Sequence, residues 1–419
     1  MMAHCVSKIP FILSSLLAIG LCSCAKQHAQ DRDLIVPQTT QSAEEIWNGE
    51  IDESWFSGNG DSFHISTAQE FAGLANLINT GFTTFVNQKI YVDNDIHLNN
   101  LGGFHNGLKT EPDNKWVPIG CGEYSFKGVI DFQGHTVDGM YINDASLRNS
   151  QNAGLFGLVE MKTPESPFYI KNLQLYSSFI VVSENNTTVE NLGSVVGKII
   201  NGGAYGKFNG LVNVVSDCQI ISESTSSKFI GGLAGFTQAN IINCGFTGDF
   251  TLRNCTAKIG GISSGGAIPS FVINSYSTAD LTALKLKPTE SGSITYQGIP
   301  IHCFYQKTKT INSSNRTFGY ARRYETDSNY SPYDNGIFSD VSSTVTIVKD
   351  DNQWNGNSGI YGDNVKKTNL DSYSNLLDAL NSFSLEKYFS NNLNDDKHLK
   401  KWIVKGIINN GYPINAYGE

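Results

Sequence analysis

Hydrophobic residues near the start of the chain body recur with the spacing of an α-helix. Four of them fall three or four positions apart: Phe71, Leu74, Ala75 and Ile78. Ser66 or Thr67 is placed to cap the first turn. Gln69 or Glu70 follows three residues later, which is the spacing of a capping box. The pattern predicts one short amphipathic helix, which Gly81 is suited to end.

Beyond this helix the hydrophobic period changes to two, which is the alternation of a β-strand. Residues 89–92 and 95–98 alternate in this way. Segments 126–132 and 136–142 repeat the alternation on either side of a short turn. A helix placed before a run of strands is expected to cover the first strand edge, which would otherwise recruit other chains.

From residue 153 onward the chain is similar to itself. Glycine-rich apolar blocks recur at 154–157, 193–197, 231–235 and 260–262. Each block is followed by an aliphatic residue, any residue and then an asparagine, and these asparagines are Asn172, Asn213, Asn243 and Asn274. The last two intervals between them are 30 and 31 residues. A fixed period in this range indicates stacked structural units.

Stacking gives the repeat a physical meaning. Equivalent residues of successive units would lie about 4.8 Å apart, which is the spacing of hydrogen-bonded strands. Aliphatic side chains then form columns inside the stack. The asparagine side chains are expected to bond to one another in a ladder along one edge. We expect the recurring glycines to occupy corners with positive φ, which other residues resist.

These segments resemble the GLUG-motif family of bacterial exported proteins, whose name describes a Gly-Leu-aliphatic-Gly block. Residues 154–157 match the block well, and 231–235 match it with Ala234 inside. Residues 193–197 and 260–262 depart from it. Further similar segments are the Trp47 region, the capped helix, 116–120, 126–128, 131–136 and 410–414. The resemblance implies a right-handed parallel β-helix, often on lipid-anchored or adhesin-like proteins, and no agreed enzymatic activity.

The sequence therefore predicts an all-β protein, a right-handed parallel β-helix (solenoid) with a short N-terminal capping helix and an irregular C-terminal region. A further helix is expected near 370–381, where with Trp402 and Tyr412 it would form the other cap. The predicted divisions are a signal peptide at 1–23, a lipidated cysteine and tether at 24–45, an N-terminal cap at 46–88, GLUG-type repeats at 89–285 and a loop-rich C-terminal region at 286–419.

The first residues have the features of an export signal. The apolar run at 9–21 is shorter than the roughly 20 residues that span a bilayer, and its length suits a secretory signal peptide. The sequence Leu-Cys-Ser-Cys that ends at Cys24 resembles a bacterial lipobox, which implies that Cys24 carries the lipid. Cys22 is a poorer candidate, because the bulky Leu21 would precede the cut. The alternative is an ordinary secretory peptide with chance cysteines.

Charge and cysteine content exclude several classes of protein. The net charge of −9 argues against a nucleic-acid partner, which needs clustered Lys and Arg. Beyond the signal region and Cys24, five cysteines remain: Cys121, Cys218, Cys244, Cys255 and Cys303. Their odd number and the lack of a C-x-x-C pair argue against a zinc site or a disulfide framework. We expect small buried residues, with a bridge between Cys244 and Cys255 as the alternative.

No motif in the sequence points to catalysis or to a cofactor. A zinc-protease helix and a phosphate-binding loop are both absent from it. β-Helix folds also host polysaccharide lyases and hydrolases, which need paired acid and base groups. Asp131 and His135 are the best local pair, with a structural turn as the alternative. Arg253 is the one basic residue placed among the repeats for a lyase base.

Aromatic residues among amide side chains mark the C-terminal region as a candidate binding site, because rings stack on sugars and amides bond their hydroxyls. These residues are Tyr330, Tyr333, Trp354 and Tyr361. The alternative is that this region packs its aromatics against the repeats.

We predict a non-catalytic envelope lipoprotein, anchored in the outer membrane with its body at the cell surface or in the periplasm. Its expected partners, besides the membrane that holds the lipid anchor, are glycans or host or bacterial surface proteins. A carbohydrate-active β-helix enzyme and a structural component of envelope assembly are the alternatives.

Overall fold

The computed structural model describes a large part of the chain body. The described residues are 46–101, 111–160, 169–200, 210–252, 257–266, 271–279, 299–301, 304–305, 376–383, 399–405 and 408–417. All of them belong to one compact unit, Gln38–Glu419. The structure is mostly β with few helices and parallel sheets, which confirms the predicted all-β class.

The described helices are short. They are α1 (Ala68–Asn79), α2 (Asp144–Leu147) and α3 (Leu376–Asn381). The predicted capping box is present on α1: the Thr67 hydroxyl accepts a hydrogen bond from the Glu70 N–H at 3.2 Å, and the Glu70 carboxylate accepts from the Thr67 N–H at 3.0 Å. Gly81 follows the helix with a φ of 76°. The apolar face of α1 packs on Trp116 and Phe132 through Phe71.

Replacing Thr67 with alanine is expected to lower the free energy of unfolding by about 1 kcal/mol, because the Glu70 N–H then loses its acceptor. Urea denaturation measures the change. Thr187→Ala is the matched control, since Thr187 is exposed and lies outside any helix. An effect at Thr67 no larger than that of the control would show that the cap contributes little to the fold.

The strands are short and follow one another closely along the chain. They are β1 (Ser62–Ile65), β2 (Lys89–Val92), β3 (Ile96–His97), β4 (Val129–Asp131), β5 (Thr136–Asp138), β6 (Tyr141–Ile142), β7 (Asn152–Ala153), β8 (Phe156–Glu160), β9 (Tyr169–Tyr176), β10 (Phe179–Val182), β11 (Asn191–Gly193), β12 (Val196–Ile200), β13 (Gly210–Ser216), β14 (Gln219–Ser222), β15 (Phe229–Gly231), β16 (Ala234–Thr237), β17 (Asn240–Ile242), β18 (Gly245–Phe246), β19 (Phe250–Leu252), β20 (Lys258–Gly260), β21 (Ser263–Gly266), β22 (Phe271–Ile273), β23 (Tyr276–Ser277), β24 (Ile299–Ile301), β25 (Phe304–Tyr305), β26 (Trp402–Ile403) and β27 (Ile414–Asn415).

Four parallel sheets contain all of these strands except β26 and β27, and each sheet takes its strands from successive repeats. The largest, called here the central sheet, runs β1-β2-β4-β9-β13-β17-β22-β24, with β3, β5, β18, β23 and β25 beside this path. The other three run β6-β10-β14-β19, β7-β11-β15-β20 and β8-β12-β16-β21. In the described residues, the antiparallel pairing is that of β26 with β27.

Register along the central sheet preserves the repeat. Tyr169 pairs with Gly210, and Gly210 pairs in turn with Asn240, at intervals of 41 and 30 residues. Ile241 pairs with Val272, 31 residues further on. The intervals of 30 and 31 residues seen in the sequence therefore separate residues that pair on neighbouring strands.

The predicted asparagine ladder is present at one corner of the central sheet. The side-chain amide of Asn213 donates to the side-chain oxygen of Asn172 at 2.9 Å. Asn243 donates to Asn213 at 2.8 Å, and Asn274 donates to Asn243 at 2.8 Å. The ladder begins at Asp131, which accepts from Asn172 at 2.7 Å. All four asparagines have positive φ, between 45° and 58°.

The recurring glycines have a different role from the one predicted. The glycines of the motif blocks do not have positive φ in the described residues, and the ladder asparagines take those positions instead. A Cβ on Gly193 would lie 2.4 Å from the Val196 carbonyl oxygen and 2.6 Å from the Ala234 Cα. The blocks are glycine-rich because the backbones of successive repeats approach each other too closely for a side chain.

The main apolar core runs between the sheets and under α1. It includes Ile130, Phe156, Leu192 and Ile241, all fully buried, which come from three of the sheets and from more than one repeat. Because each repeat contributes only part of this core, no repeat is expected to be stable alone.

The C-terminal hairpin, formed by β26 and β27, packs on the outer side of the central sheet. Trp402 contacts Tyr276 with ring centroids 5.4 Å apart, and Leu380 of α3 joins the same buried cluster. The Lys400 carbonyl accepts a hydrogen bond from the ladder residue Asn243 at 2.9 Å. Trp402 therefore packs against the outer side of the strands. The helix α3 falls within the segment that the sequence predicts as helical.

Candidate functional site

A row of polar side chains crosses the outer side of the central sheet in register. His97 pairs with Asp138, and Asp138 pairs with Tyr176. Asp217 extends the row, because its N–H bonds to the carbonyl of Leu175, the residue before Tyr176. The preceding residue of each strand points inward to the core, so these side chains face outward. We call His97, Asp138, Tyr176 and Asp217 the polar row.

One end of the polar row is a contact between a histidine and an aspartate. The His97 Nδ1 lies 2.9 Å from the Asp138 Oδ2, and both side chains are mostly buried. Two similar pairs lie on nearby strands and loops: His135 with Asp95 at 3.2 Å, and His64 with Asp93 at 2.8 Å. The surface beside the N-terminal cap is thus organised by three histidine–aspartate contacts.

Asp217, at the other end, is enclosed by densely packed protein while keeping part of its surface in solvent. Burial raises the pKa of its carboxyl group to about 7, with the negative charge of Asp138 as a smaller contribution to that rise. The N–H of Ser177 donates to one carboxyl oxygen at 2.7 Å and opposes the shift. No described Lys or Arg forms an ion pair with this carboxylate.

Tyr176 lies between the two aspartates, and its hydroxyl donates to the Gln174 Oε1 at 3.0 Å. Burial raises the pKa of the Tyr176 hydroxyl well above its ordinary value, and the charge of Asp217 adds to the shift. Tyr417 borders the row from the C-terminal end of the chain, where its ring lies over Gly134 and its hydroxyl donates to the Asn213 carbonyl at 2.9 Å. The row is thus a partly enclosed strip of carboxyl, imidazole and phenol groups.

The pair proposed from the sequence for acid–base chemistry is not formed. Asp131 accepts hydrogen bonds from Asn172 and from the Gln133 N–H, and Lys171 Nζ lies 3.1 Å from its Oδ2. His135 contacts Asp95 instead of Asp131. Asp131 therefore begins the ladder and its corner, which is the structural-turn alternative.

Other predicted site residues lie outside the described residues. They are the lipid-attachment residue Cys24, the aromatics Tyr330, Tyr333, Trp354 and Tyr361, and the basic residue Arg253.

The described cysteines are small buried residues, as expected. Cys121, Cys218 and Cys244 carry buried thiols, and that of Cys244 donates to the Ile242 carbonyl at 3.1 Å. Cys255 and Cys303 lie outside the described residues.

The polar row was missed in the sequence, although a signal for it exists. Tyr176 and Asp217 each stand four residues after a ladder asparagine, Asn172 and Asn213. Thr247 stands four residues after Asn243, and Asp217 precedes it by the same interval that separates the asparagines. Aligning the repeats four residues after each ladder asparagine would have placed Tyr176, Asp217 and Thr247 in one column.

Replacing Asp217 with asparagine is expected to stabilise the protein above neutral pH. A carboxyl group whose pKa is higher in the folded than in the unfolded protein binds a proton on folding. Its penalty is absent below pH 4, grows as the pH rises and is complete above about pH 7. With allowance for the partial solvent contact, the gain in unfolding free energy should be about 1–3 kcal/mol at pH 8.

Urea denaturation at pH 8 and at pH 4 measures this difference, and the gain should be close to zero at pH 4. Glu190→Gln is the matched control, because Glu190 is a partly exposed carboxylate that pairs with Lys228. A loss of stability in Asp217→Asn at pH 8 would contradict a raised pKa.

The described residues give no metal site and no spanning helix. Within them, no three His, Cys, Asp or Glu side chains come together in a way that could hold a metal ion. No helix among the same residues is long and apolar enough to cross a membrane.

Comparison with known proteins adds little to this geometry. Neither a family model nor a curated protein sequence matches the chain. A Bacteroides ovatus protein, provisionally named as an immunoglobulin A1 protease, has a crystal structure similar to 62% of this chain and 84% of its own. Its TM-score is 0.35 and its identity 14%, values at which the similarity carries no argument about activity.

Proposed function

We propose that this chain is a non-catalytic β-solenoid lipoprotein of the bacterial envelope, with Cys24 as its lipid-bearing residue and GLUG-type repeats as its body. In this proposal the stack is a right-handed parallel β-helix anchored to the outer membrane. It binds glycans or surface proteins by its outer side, with the C-terminal aromatics as a second candidate surface.

The observation that carries the binding proposal is the polar row on the central sheet. Its residues stand on successive strands of a hydrogen-bonded sheet, so their spacing is set by the fold and costs no ordering on binding. Carboxyl, imidazole and phenol groups can all form hydrogen bonds with hydroxyl groups. The neighbouring residues Gln174 and Thr136 add further polar groups on the same side.

A glycan array and a panel of matrix proteins, both probed with the full-length protein, test this function. The proposal expects saturable binding to at least one glycan or surface protein. Binding to none of them, by a protein that is folded by circular dichroism, would contradict it. Release of new sugar ends from any bound polysaccharide would contradict the non-catalytic part.

A further inference from the structure

Five large apolar side chains are exposed in the described part of the chain, and three of them belong to the N-terminal cap. Phe82 is 74% exposed, Ile51 53% and Tyr124 42%. The other two, Val404 and Ile408, lie in the C-terminal segment that carries β26 and β27. A single exposed apolar side chain needs no explanation, but a group of them on one surface marks a contact site.

Two of the cap side chains belong to one layer on the outer side of α1. A Cβ on Gly73, in the middle of the helix, would collide with the carbonyl group of Asp52, so the residues next to Ile51 lie directly on α1. The same segment continues to Phe56, whose ring centroid lies 6.1 Å from that of Phe82. Ile51 and Phe82 are therefore exposed on the same outer layer.

Tyr124 extends this apolar surface past the end of α1. A Cβ on Gly81 would collide with the Tyr124 ring, so the ring packs on the glycine that precedes Phe82. We call Ile51, Phe82 and Tyr124 the cap patch. Its members come from three separate segments of the chain, which the fold brings to one surface.

The chain enters the body at this same cap. Ile46, the first described residue, forms a parallel bridge with His97 of β3. The proposed lipid-bearing residue Cys24 precedes Ile46 by 22 residues, which span at most about 80 Å when fully extended. With the lipid in place, the membrane is always within that reach of the cap. A further contact with it is intramolecular and needs little intrinsic affinity.

We propose that the N-terminal cap docks on the membrane that holds the lipid anchor, with the cap patch inserted at the level of the lipid headgroups. This inference rests on the anchor of the proposed function and adds which surface of the body meets the bilayer. Aromatic rings favour the membrane–water interface, where the ring leaves water and a tyrosine hydroxyl keeps polar partners.

The size of the cap patch favours a lipid surface over a protein partner. A stable protein complex buries about 800 Å² on each partner, and three partly exposed side chains supply far less. A bilayer accepts single side chains without a complementary surface, and the contact strengthens with each apolar group that it buries.

The charges beside the cap patch indicate attachment by apolar burial. Glu53 and Glu123 are exposed in the segments that carry Ile51 and Tyr124. Anionic lipid headgroups would repel these carboxylates, so the contact draws on the removal of apolar surface from water. Docking should therefore occur on lipids without net charge and persist at high salt, which screens charges and leaves apolar burial in place.

Tryptophan quenching in vesicles tests the docking. The lipidated protein, purified from bacterial membranes, is placed in phosphatidylcholine–phosphatidylethanolamine vesicles with or without bromine on the upper acyl chain, which quenches nearby tryptophan. The fluorescence that Phe82→Trp adds to the wild type should fall roughly twofold or more in brominated vesicles, because the new ring lies at the headgroup level.

Val404→Trp is the matched control, because it adds a tryptophan at an exposed apolar position outside the cap. Its added fluorescence should be the same in both kinds of vesicle. No quenching in Phe82→Trp, or equal quenching in the two variants, would overturn the docking.

Removing the rest of the cap patch should release the cap. In the Phe82→Trp background, Ile51→Ser together with Tyr124→Ser should lower the ratio of docked to undocked protein about tenfold, the factor that burial of one large apolar side chain supplies. Ile408→Ser in the same background removes an exposed apolar side chain from the C-terminal segment and should change nothing. Quenching that survives the loss of Ile51 and Tyr124 would overturn the assignment to this patch.

Flotation of the same vesicles separates this inference from the function on which it rests. Protein that floats with the vesicles, without quenching in Phe82→Trp, keeps the lipid anchor and removes the docked cap. Protein that carries no lipid and does not float removes both.

Discussion

Replacing Asn213 with alanine should lower the free energy of unfolding by about 3–5 kcal/mol. Asn213 is buried and bonds to Asn172 and Asn243, and its side-chain oxygen also accepts from the Lys400 N–H at 3.1 Å. Alanine removes three hydrogen bonds, at about 1 kcal/mol for each, and the partner that it leaves most buried is Asn243. Its positive φ of 54° adds about 1 kcal/mol for a residue other than glycine or asparagine.

Asn213→Gly separates the two contributions. Glycine accepts the positive φ, so it should lose the hydrogen bonds alone and be about 1 kcal/mol less destabilising than alanine. Asn59→Ala, at an exposed position, should change the unfolding free energy by less than about 0.5 kcal/mol. Urea denaturation gives all three values. A loss of less than about 1 kcal/mol in Asn213→Ala would mean that the ladder does not hold the repeats together.

Replacing Gly193 with alanine should destabilise the protein by about 3 kcal/mol. The new Cβ would lie 2.4 Å from the Val196 carbonyl oxygen and 2.6 Å from the Ala234 Cα. Both are backbone atoms, with Val196 in the same repeat and Ala234 in the next one, so no side chain can rotate away and the backbone itself must shift. Thermal and urea unfolding measure the effect.

Gly122→Ala provides the opposite case. Gly122 has a φ of 88°, and a Cβ there would meet no atom within 4 Å. Alanine should cost only about 1 kcal/mol, through backbone strain alone. If Gly122→Ala proved more destabilising than Gly193→Ala, close approach of the strands would not be the reason for the glycine-rich blocks.

The sequence predicts the local elements of this fold well. The spacing of the apolar residues and the Thr67–Glu70 pair define α1, because capping and helical periodicity depend on a few neighbouring residues. The asparagine ladder was also predictable, because every repeat marks its corner with the same residue type. A local signal that recurs in every repeat predicts how neighbouring strands align as well as where each strand lies.

The glycine role and the polar row could not be read in the same way. The sequence does not distinguish a glycine needed for positive φ from one needed for close approach of two backbones. For Gly193 the distinction comes from the short distance to Ala234. The polar row joins histidine, aspartate and tyrosine, so residue types do not repeat along it. Its pKa shift at Asp217 depends on packing by distant segments, which the linear order hides.

The position of the C-terminal hairpin likewise depends on contacts across the chain. Trp402 and Tyr276 are far apart in sequence, and the local pattern around either residue does not predict contact with the other. The hydrophobic residues at Val215 and Tyr276, which point outward from the central sheet, were the available sign that this side is covered.

Thiol bridging between strands tests the stacked arrangement most directly. Lys198 pairs in register with Phe236, and Leu158 pairs with Lys198, all on one outward column. Dibromobimane, which becomes fluorescent on joining two nearby thiols, is added to the double variants Lys198→Cys/Phe236→Cys and Leu158→Cys/Phe236→Cys. Adjacent repeats stacked in register predict strong fluorescence in the first variant and weak fluorescence in the second, two strands apart. Equal signals, or a stronger one in the second, would contradict the stack.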